Sequence, residues 1–326
     1  MNRKTLPALL TGNTVVFKPA EFTAWSAAFL SQLFHEAGFP PGVYNCVQGQ
    51  GRVVGMALVR HPLVRGISFT GSTEVGKIIQ GVAGPRLCRT QLELGGKNAA
   101  IVMPDADLDA AATAVMTAGF ACAGQWCTST SRVLMHRDIA DDFTARLQAR
   151  CEAVAVGDPL DAATGMGPVA GPIQFNTVTG YIGKAKQEGA RLVTGDVCTG
   201  ELGQRGYFIR PTLFDRVTPD MTLFKEEVFG PVLALIPFDT LEQALELANS
   251  VEYGLSSALF TRDLRAAQQY IREIDAGLAH VNIHSGYKHP TLPFGGWKNS
   301  GYGPPENGRP GIEFFIDWKA VYLQSP

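Results

Sequence analysis

Gly66-Ile67-Ser68-Phe69-Thr70-Gly71-Ser72-Thr73-Glu74-Val75-Gly76 passes from a β-rich pentad through a glycine turn into helical spacing. The pentad reads as a strand, Gly71-Ser72 as the turn, and a helix follows to about Ala83. The same order stands upstream. Thr14-Val15-Val16-Phe17-Lys18, ended by Pro19, reads as a buried strand. Thr23 is placed to cap a helix with Trp25, Phe29, Leu30, Leu33 and Phe34 on its apolar side, stopped by Gly38 and Pro40-Pro41. Val43 to Val47 reads as the next strand. It runs into Gly49-x-Gly51-x-x-x-Gly55, one residue longer than the usual dinucleotide fingerprint, and a helix to His61. Arg89 to Leu92 is a further strand. Such alternation predicts a parallel sheet with helices on both faces. Two glycine turns at successive helix starts offer bare backbone N–H groups to a pyrophosphate.

Downstream the pattern repeats as a second α/β unit. Strands are expected at Asn98–Val102, Ser131–His136, Thr212–Val217, Val232–Phe238 and Ser257–Phe260. Helices are expected at Asp105–Ala123, Asp138–Val156, Gln174–Gly189, Leu241–Asn249 and Arg265–Asp275. Glu313 to Leu323 alternates like a strand with little left in the chain to pair with, so it is expected to add to another subunit's sheet.

Composition bounds the function. The 326 residues are 45% hydrophobic and 18% charged with a net charge of −2, which suits a large globular core and gives no reason to expect nucleic acid or an anionic membrane as partner. No apolar run nears the roughly twenty residues needed to span a bilayer, and no signal-peptide pattern is visible, so the cytoplasm is the expectation. None of Cys46, Cys88, Cys122, Cys127, Cys151 and Cys198 is spaced Cys-x-x-Cys, which argues against a zinc site or redox dithiol and fits a reducing compartment. His280 and His284 share a face if their stretch is a strand, but without further ligands they predict no metal site.

One cysteine stands out. Gly124-Gln125-Trp126-Cys127-Thr128-Ser129-Thr130-Ser131-Arg132 sets Cys127 among hydroxyls just after a small-residue helix. Upstream, Leu92-Glu93-Leu94-Gly95-Gly96-Lys97 holds a carboxylate between leucines. A nucleophile and a base are the elements of covalent catalysis. Alone, a cysteine in such a chain more often packs inertly, and that reading stands beside the catalytic one.

These segments, in order, resemble the aldehyde dehydrogenase superfamily. So do Thr11 to Glu21, Lys225-Glu226-Glu227-Val228-Phe229-Gly230-Pro231-Val232, Tyr253-Gly254-Leu255 and Pro293-Phe294-Gly295-Gly296. The resemblance runs from Lys4 nearly to the end. It implies an incomplete Rossmann-like NAD-binding domain over residues 1–95, an α/β catalytic domain over 96–297, and a C-terminal segment with an oligomerisation strand over 298–326. It implies Cys127 as nucleophile and Glu93 as the base that activates water. Lys18 and Glu21 are carried over to the adenosine ribose, Glu227 to the nicotinamide ribose and Phe229 to the ring. Gly51, Gly55, Gly71, Ser72 and Gly95 join the cofactor-binding residues, Gln174 is a weaker cofactor candidate, and Lys97 and Arg132 are structural. Glu21 can accept from ribose hydroxyls and would repel a 2′-phosphate, which favours NAD over NADP. The carboxyl between Leu92 and Leu94 is expected to have a raised pKa.

The opening, Met1 to Leu10, reads as the second half of an amphipathic helix without a cap. The expectation is a chain lacking its front. That includes the family's Pro-Trp-Asn motif, whose asparagine donates to the oxyanion, and low activity of this chain alone is expected with it. Cys122 is expected to pack. The substrate mouth is expected to involve Trp126, Thr128 and the loop His284-Ser285-Gly286-Tyr287-Lys288-His289-Pro290, where Lys288 with two histidines can attract a carboxylate. The ending, Gly295 to Phe315, resembles the branch that oxidises 2-oxoglutarate semialdehyde (2,5-dioxopentanoate). A homo-oligomer acting on a small aldehyde is the leading reading. A non-catalytic remnant that associates with other subunits, and an NAD-independent thiol hydrolase, compete with it.

Overall fold

Val15–Phe17 (β1) and Tyr44–Cys46 (β2) pair in parallel, and so do Gly66–Thr70 (β3) and Arg89–Glu93 (β4), the latter in register from Gly66↔Arg89 to Thr70↔Glu93. The computed structural model describes residues 2–325. They group into two units. The smaller holds the chain up to Glu93, Lys288–Gly295 and the residues from Tyr302 onward; the larger holds Leu94–Tyr287 and Gly296–Gly301.

In the smaller unit helices precede or follow each strand: Asn2–Leu10 (α1), Ala24–Glu36 (α2), Met56–Arg60 (α3) and Thr73–Ala83 (α4). Ser72 caps α4 by accepting from Val75 N at 3.3 Å. Before α3, Gly51–Gly55 winds as a π-helical turn. Three expectations fail here. β1 is not buried, since Val16 is 48% exposed. α2 turns its apolar residues largely outward: Trp25 is 89% exposed, Phe29 and Leu33 are exposed, and Ala27 is its one buried residue. The β1–β2 ribbon beneath α2 has only two strands, so it covers little. Its contact is carried by Phe34, stacked on Tyr44 with centroids 4.4 Å apart. Thr23 makes no cap; its hydroxyl donates to Ala20 O in a short 3-10 turn.

The larger unit is built on one seven-stranded sheet. Its order is Leu278–Val281, Ser256–Phe260, Asn98–Val102 (β5), Thr130–His136 (β6), Val232–Phe238 (β9), Ile209–Asp215 (β8) and Arg191–Val197 (β7). All neighbours are parallel except the edge pair β7–β8. Helices Leu108–Phe120 (α5), Ala140–Glu152 (α6), Pro172–Gln187 (α7), Leu241–Asn249 and Leu264–Glu273 accompany it. The central strands are buried on both faces, which is why β5 and β9 read as continuous apolar runs. α5 begins later than Asp105 because Asp107 is the cap, accepting from Ala110 N at 3.0 Å. Asp105 instead accepts from Thr261 Oγ1 at 2.9 Å and Arg262 N at 2.8 Å.

Back in the smaller unit, Gly308–Glu313 is helical and Phe314 is buried, with the Arg89 guanidinium 5.3 Å from its ring centroid. Beyond it, residues 316–325 form no strand within this chain, and Trp318, Val321, Tyr322 and Leu323 are exposed. No helix of the described residues is long and apolar enough to cross a membrane.

Candidate active site

Cys127 sits in the turn between α5 and β6, in the larger unit. α5 stops at Phe120, and Cys122, Ala123 and Gly124 then adopt left-handed backbone with φ of 54°, 55° and 70°. Two non-glycine residues in that region are strained. Gly124 is required there for a second reason: a Cβ would meet Gly230 O at 2.2 Å. Cys122 is exposed on this turn rather than packed as expected. Asn98 at the start of β5 holds the other side of the loop. Its Nδ2 donates to Cys127 O at 2.8 Å and Ser129 O at 2.7 Å, and its Oδ1 accepts from Ser256 N at 3.0 Å. Gly96 lets this clamp close, since a Cβ would stand 2.7 Å from Cys127 O. The Cys127 backbone is thus fixed, while its side chain remains partly exposed and outside any disulfide.

The loop carrying Glu227 and Phe229 packs against the same turn through Gly230. Glu227 Oε1 accepts from Gly96 N at 2.9 Å, and a Cβ at Gly95 would lie 2.1 Å from Glu227 Oε2. Burial pushes the Glu227 carboxyl above its ordinary value, against the pull of the Gly96 N–H and Lys97. Phe229 has φ of 53° and is 39% exposed. Its carbonyl accepts from Gln174 Nε2 at 2.7 Å, so Gln174 positions Phe229. Arg132 is fully buried and donates to Lys97 O, Leu247 O and Ala248 O at 2.8–3.0 Å, with its guanidinium 4.9 Å from the Phe224 ring centroid. That is the structural part expected of it.

Glu93 ends β4 in the smaller unit and is buried. Its Oε2 has no hydrogen-bond partner among the described residues. Burial first, then the neighbouring Glu306 charge, push its carboxyl up to about 8, with Lys4 and Arg3 opposing. A Cβ on Gly295 would stand 3.4 Å from Glu93 Oε1, so the Pro293-Phe294-Gly295 segment closes over the carboxyl. The side chains around it form a network: Lys4 Nζ is paired with Glu306 Oε1 and donates to Ser68 Oγ at 3.0 Å, and Ser68 Oγ donates to Gln91 Oε1 at 2.7 Å. Sequence reasoning did not select Lys4, Asn98 or Glu306. The helix-start lysine and the strand-start asparagine carry no local mark of these partners.

Of the cofactor candidates in the smaller unit, Lys18, Glu21, Gly51 and Gly55 converge. Glu21 Oε1 accepts from Gly51 N at 2.7 Å, Lys18 Nζ lies 3.6 Å from Glu21 Oε2, and a Cβ on Gly55 would touch Lys18 Cδ at 3.7 Å. Hydrogen bonds from backbone N–H groups, Gly51's among them, hold the Glu21 carboxyl below its ordinary value, with Lys18 adding to the effect. Gly71 N donates to Glu93 O at 3.1 Å, and a Cβ there would strike the Phe69 ring. An exposed carboxylate and an ammonium over a glycine turn fit the hydroxyls and phosphates of a dinucleotide.

In the larger unit, Trp126 packs so closely on Gly286 that a Cβ would meet its ring at 2.7 Å. His280 is buried between Ser257 O and Tyr287 O, each 3.0 Å from a ring nitrogen, so it is a core histidine. No group of three or more metal-binding side chains occurs among the described residues. In the smaller unit Lys288 Nζ lies 4.9 Å from the Phe294 ring centroid.

Residues 1–321 match the model of the aldehyde dehydrogenase family. The chain is 45% identical over 322 residues to alpha-ketoglutaric semialdehyde dehydrogenase of Bacillus subtilis, covering 98% of this chain and 66% of that protein. It is 41% identical to betaine aldehyde dehydrogenase of Rhizobium leguminosarum, covering 98% and 65%. Among solved structures, HpcC from Thermus thermophilus superposes with a TM-score of 0.95 at 42% identity over 99% of this chain and 64% of that one. The NAD-dependent aldehyde dehydrogenase from Sinorhizobium meliloti gives 0.94 at 38% identity over 99% and 64%. The chain spans just under two thirds of the length of these proteins, 64–66%.

Proposed function

The chain belongs to the aldehyde dehydrogenase family, and from that premise we propose that it serves the oxidation of an aldehyde to a carboxylic acid with NAD, Cys127 being the nucleophile and Glu93 the base. The observation that carries this reading is the Glu93 carboxyl: buried, with an unpartnered oxygen and pushed up to about 8. A core carboxyl kept in that state is expensive to maintain and suits proton transfer near neutrality.

Cys127 Sγ attacks the aldehyde carbon as thiolate; the S–C bond forms and the carbonyl pair moves to oxygen. The Cys127 N–H stabilises that oxyanion. NAD, held by Glu227 and Phe229 at its nicotinamide end, would supply the acceptor for the hydride that leaves this carbon. The resulting thioester is attacked by water as Glu93 takes the water proton; the C–S bond breaks and the thiolate returns to Cys127. Lys18 and Glu21 hold the adenosine ribose, and the turns at Gly51–Gly55 and Gly71–Ser72 face the pyrophosphate. Glu227, given room by Gly95, takes the nicotinamide ribose and Phe229 the ring. The Glu21 carboxylate favours NAD over NADP.

A carboxylate-bearing semialdehyde is the substrate class, supported by the 45% identity to the Bacillus subtilis enzyme. Residues 1–95 act as the cofactor domain, 96–297 as the catalytic domain and 298–326 as the assembly segment. The exposed Trp318, Val321, Tyr322 and Leu323 suit addition to a second copy's sheet in a homo-oligomer. The cysteines, none paired in a disulfide, suit the cytoplasm. Calorimetry with NAD, then turnover across aldehydes with and without a distal carboxylate, tests the proposal. No NAD binding and no thiol adduct at Cys127 would refute it.

A further inference from the structure

Phe22, Trp25, Phe29 and Leu33 recur at three- and four-residue spacing through the 3-10 turn Glu21–Thr23 and the helix α2, so they form one stripe along its length. All four are exposed: Trp25 by 89%, Phe22 by 67% and Phe29 by 61% of their surfaces. The helix meets its own unit through a different side, where Ala27 is buried and Phe34 stacks on Tyr44. No residue from Phe22 to Leu33 carries a charge. Carboxylates return only at the two ends. Glu21 is turned onto Gly51 N and Lys18, and Glu36 accepts from Gln32 Nε2 on its own helix at 2.7 Å.

A single apolar side chain at a surface is ordinary, but a continuous stripe of three aromatic rings and a leucine marks an interaction surface. We propose that α2 is a contact between two copies of this chain, packed antiparallel about a two-fold axis. The stripe is complementary to itself. With Phe22 of each copy on Leu33 of the other, the Trp25 and Phe29 rings interdigitate between them. It lacks the charges by which a different partner would be steered and selected. The antiparallel direction carries Glu36 of each copy to the N-terminal end of the other's α2, where a carboxylate is favoured; a parallel pair would set Glu36 against Glu36. At roughly 200 Å² for a whole aromatic side chain, the exposed parts of the stripe amount to roughly 500 Å² per copy. The pair then buries about 1,000 Å², which reaches the range of a specific but reversible contact, with a dissociation constant of about 10 μM. The inference depends neither on NAD binding nor on the C-terminal tail.

Sedimentation equilibrium of the whole chain from about 1 to 200 μM, a range that brackets the expected constant, tests the contact, with hydrogen exchange followed along Ala24–Glu36. The wild-type chain is expected to show an association step in that range, and the α2 amides to exchange more slowly as it proceeds. Phe29→Glu sets two carboxylates into the pair and should weaken that step at least about a hundredfold. Phe29→Gln should weaken it about tenfold and serves if the first variant does not fold. Tyr322→Ser, on the exposed tail, should leave the step in place. A chain that stays monomeric throughout, or a step unchanged in both Phe29 variants, overturns the proposal. So does α2 exchange that is the same at every concentration. A step lost in Tyr322→Ser but kept in Phe29→Glu assigns the association to the tail and overturns it as well.

Discussion

Replacing Glu93 by glutamine should make the stability of the chain less dependent on pH. The native carboxyl is raised from 4.5 to about 8, so the folded chain binds this proton more tightly than the unfolded chain does. The contribution of the protonated group is complete below about pH 4.5 and is lost as the pH rises to about 8. The full rise separates the two protonation states by about 5 kcal/mol, of which about 3 kcal/mol is lost by pH 7. Glutamine has the shape of the neutral acid and cannot ionise. Glu93→Gln should therefore match the wild type near pH 4.5 and exceed it progressively toward pH 8. Urea denaturation of both proteins at several pH values, scored as the difference between them, removes the acid sensitivity they share. Parallel curves, or a variant less stable than the wild type at pH 8, would refute the argument that Glu93 is a buried, destabilised carboxyl.

Other consequences follow from the packing. Arg132→Met leaves three buried carbonyls without the guanidinium that serves them, and should cost about 3–5 kcal/mol in chemical denaturation. Gly95→Ala places a Cβ 2.1 Å from the Glu227 carboxyl; NAD affinity measured by calorimetry should fall at least about tenfold, a loss of about 1.4 kcal/mol. Glu21→Ala removes the carboxylate beside Lys18 and should move the NADP to NAD affinity ratio upward by about tenfold. Timed iodoacetamide labelling with peptide mass analysis should find exposed Cys122 modified early. Buried Cys198 and Cys151, the latter pushed up to about 12 by burial, should be modified last.

Gly66–Thr70 followed by Thr73–Ala83, and Val232–Phe238 followed by Leu241–Asn249, are legible in the sequence because apolar runs meet strong turn and cap signals there. The edge strand Arg191–Val197 is not. Gly195 and Asp196 take positive φ and the register with β8 shifts twice, so alternation is lost. On α2 the apolar side is readable, but periodicity cannot say that a ribbon of only two strands would leave it in solvent. Cys127, Glu93 and the Lys18–Glu21–Gly51 cradle carry motif signals in their own segments. Their supports do not: Lys4 and Glu306, which surround Glu93, are 302 residues apart. Asn98 clamps Cys127 by bonds to backbone carbonyls that no side-chain pattern marks. The expected raised carboxyl of Glu93 agrees with the structure, while the Lys97 amine is buried with no hydrogen-bond partner among the described residues, which its motif does not mark.

Mass analysis of the Glu93→Gln chain after incubation with NAD and 2-oxoglutarate semialdehyde tests the central claim most directly. With the nucleophile intact and its water-activating base removed, the chain should retain an acyl group as a thioester on the peptide bearing Cys127, in larger yield than the wild type. No acyl group on that peptide in either protein, or acylation of another cysteine in its place, would contradict the assignment of Cys127 and Glu93.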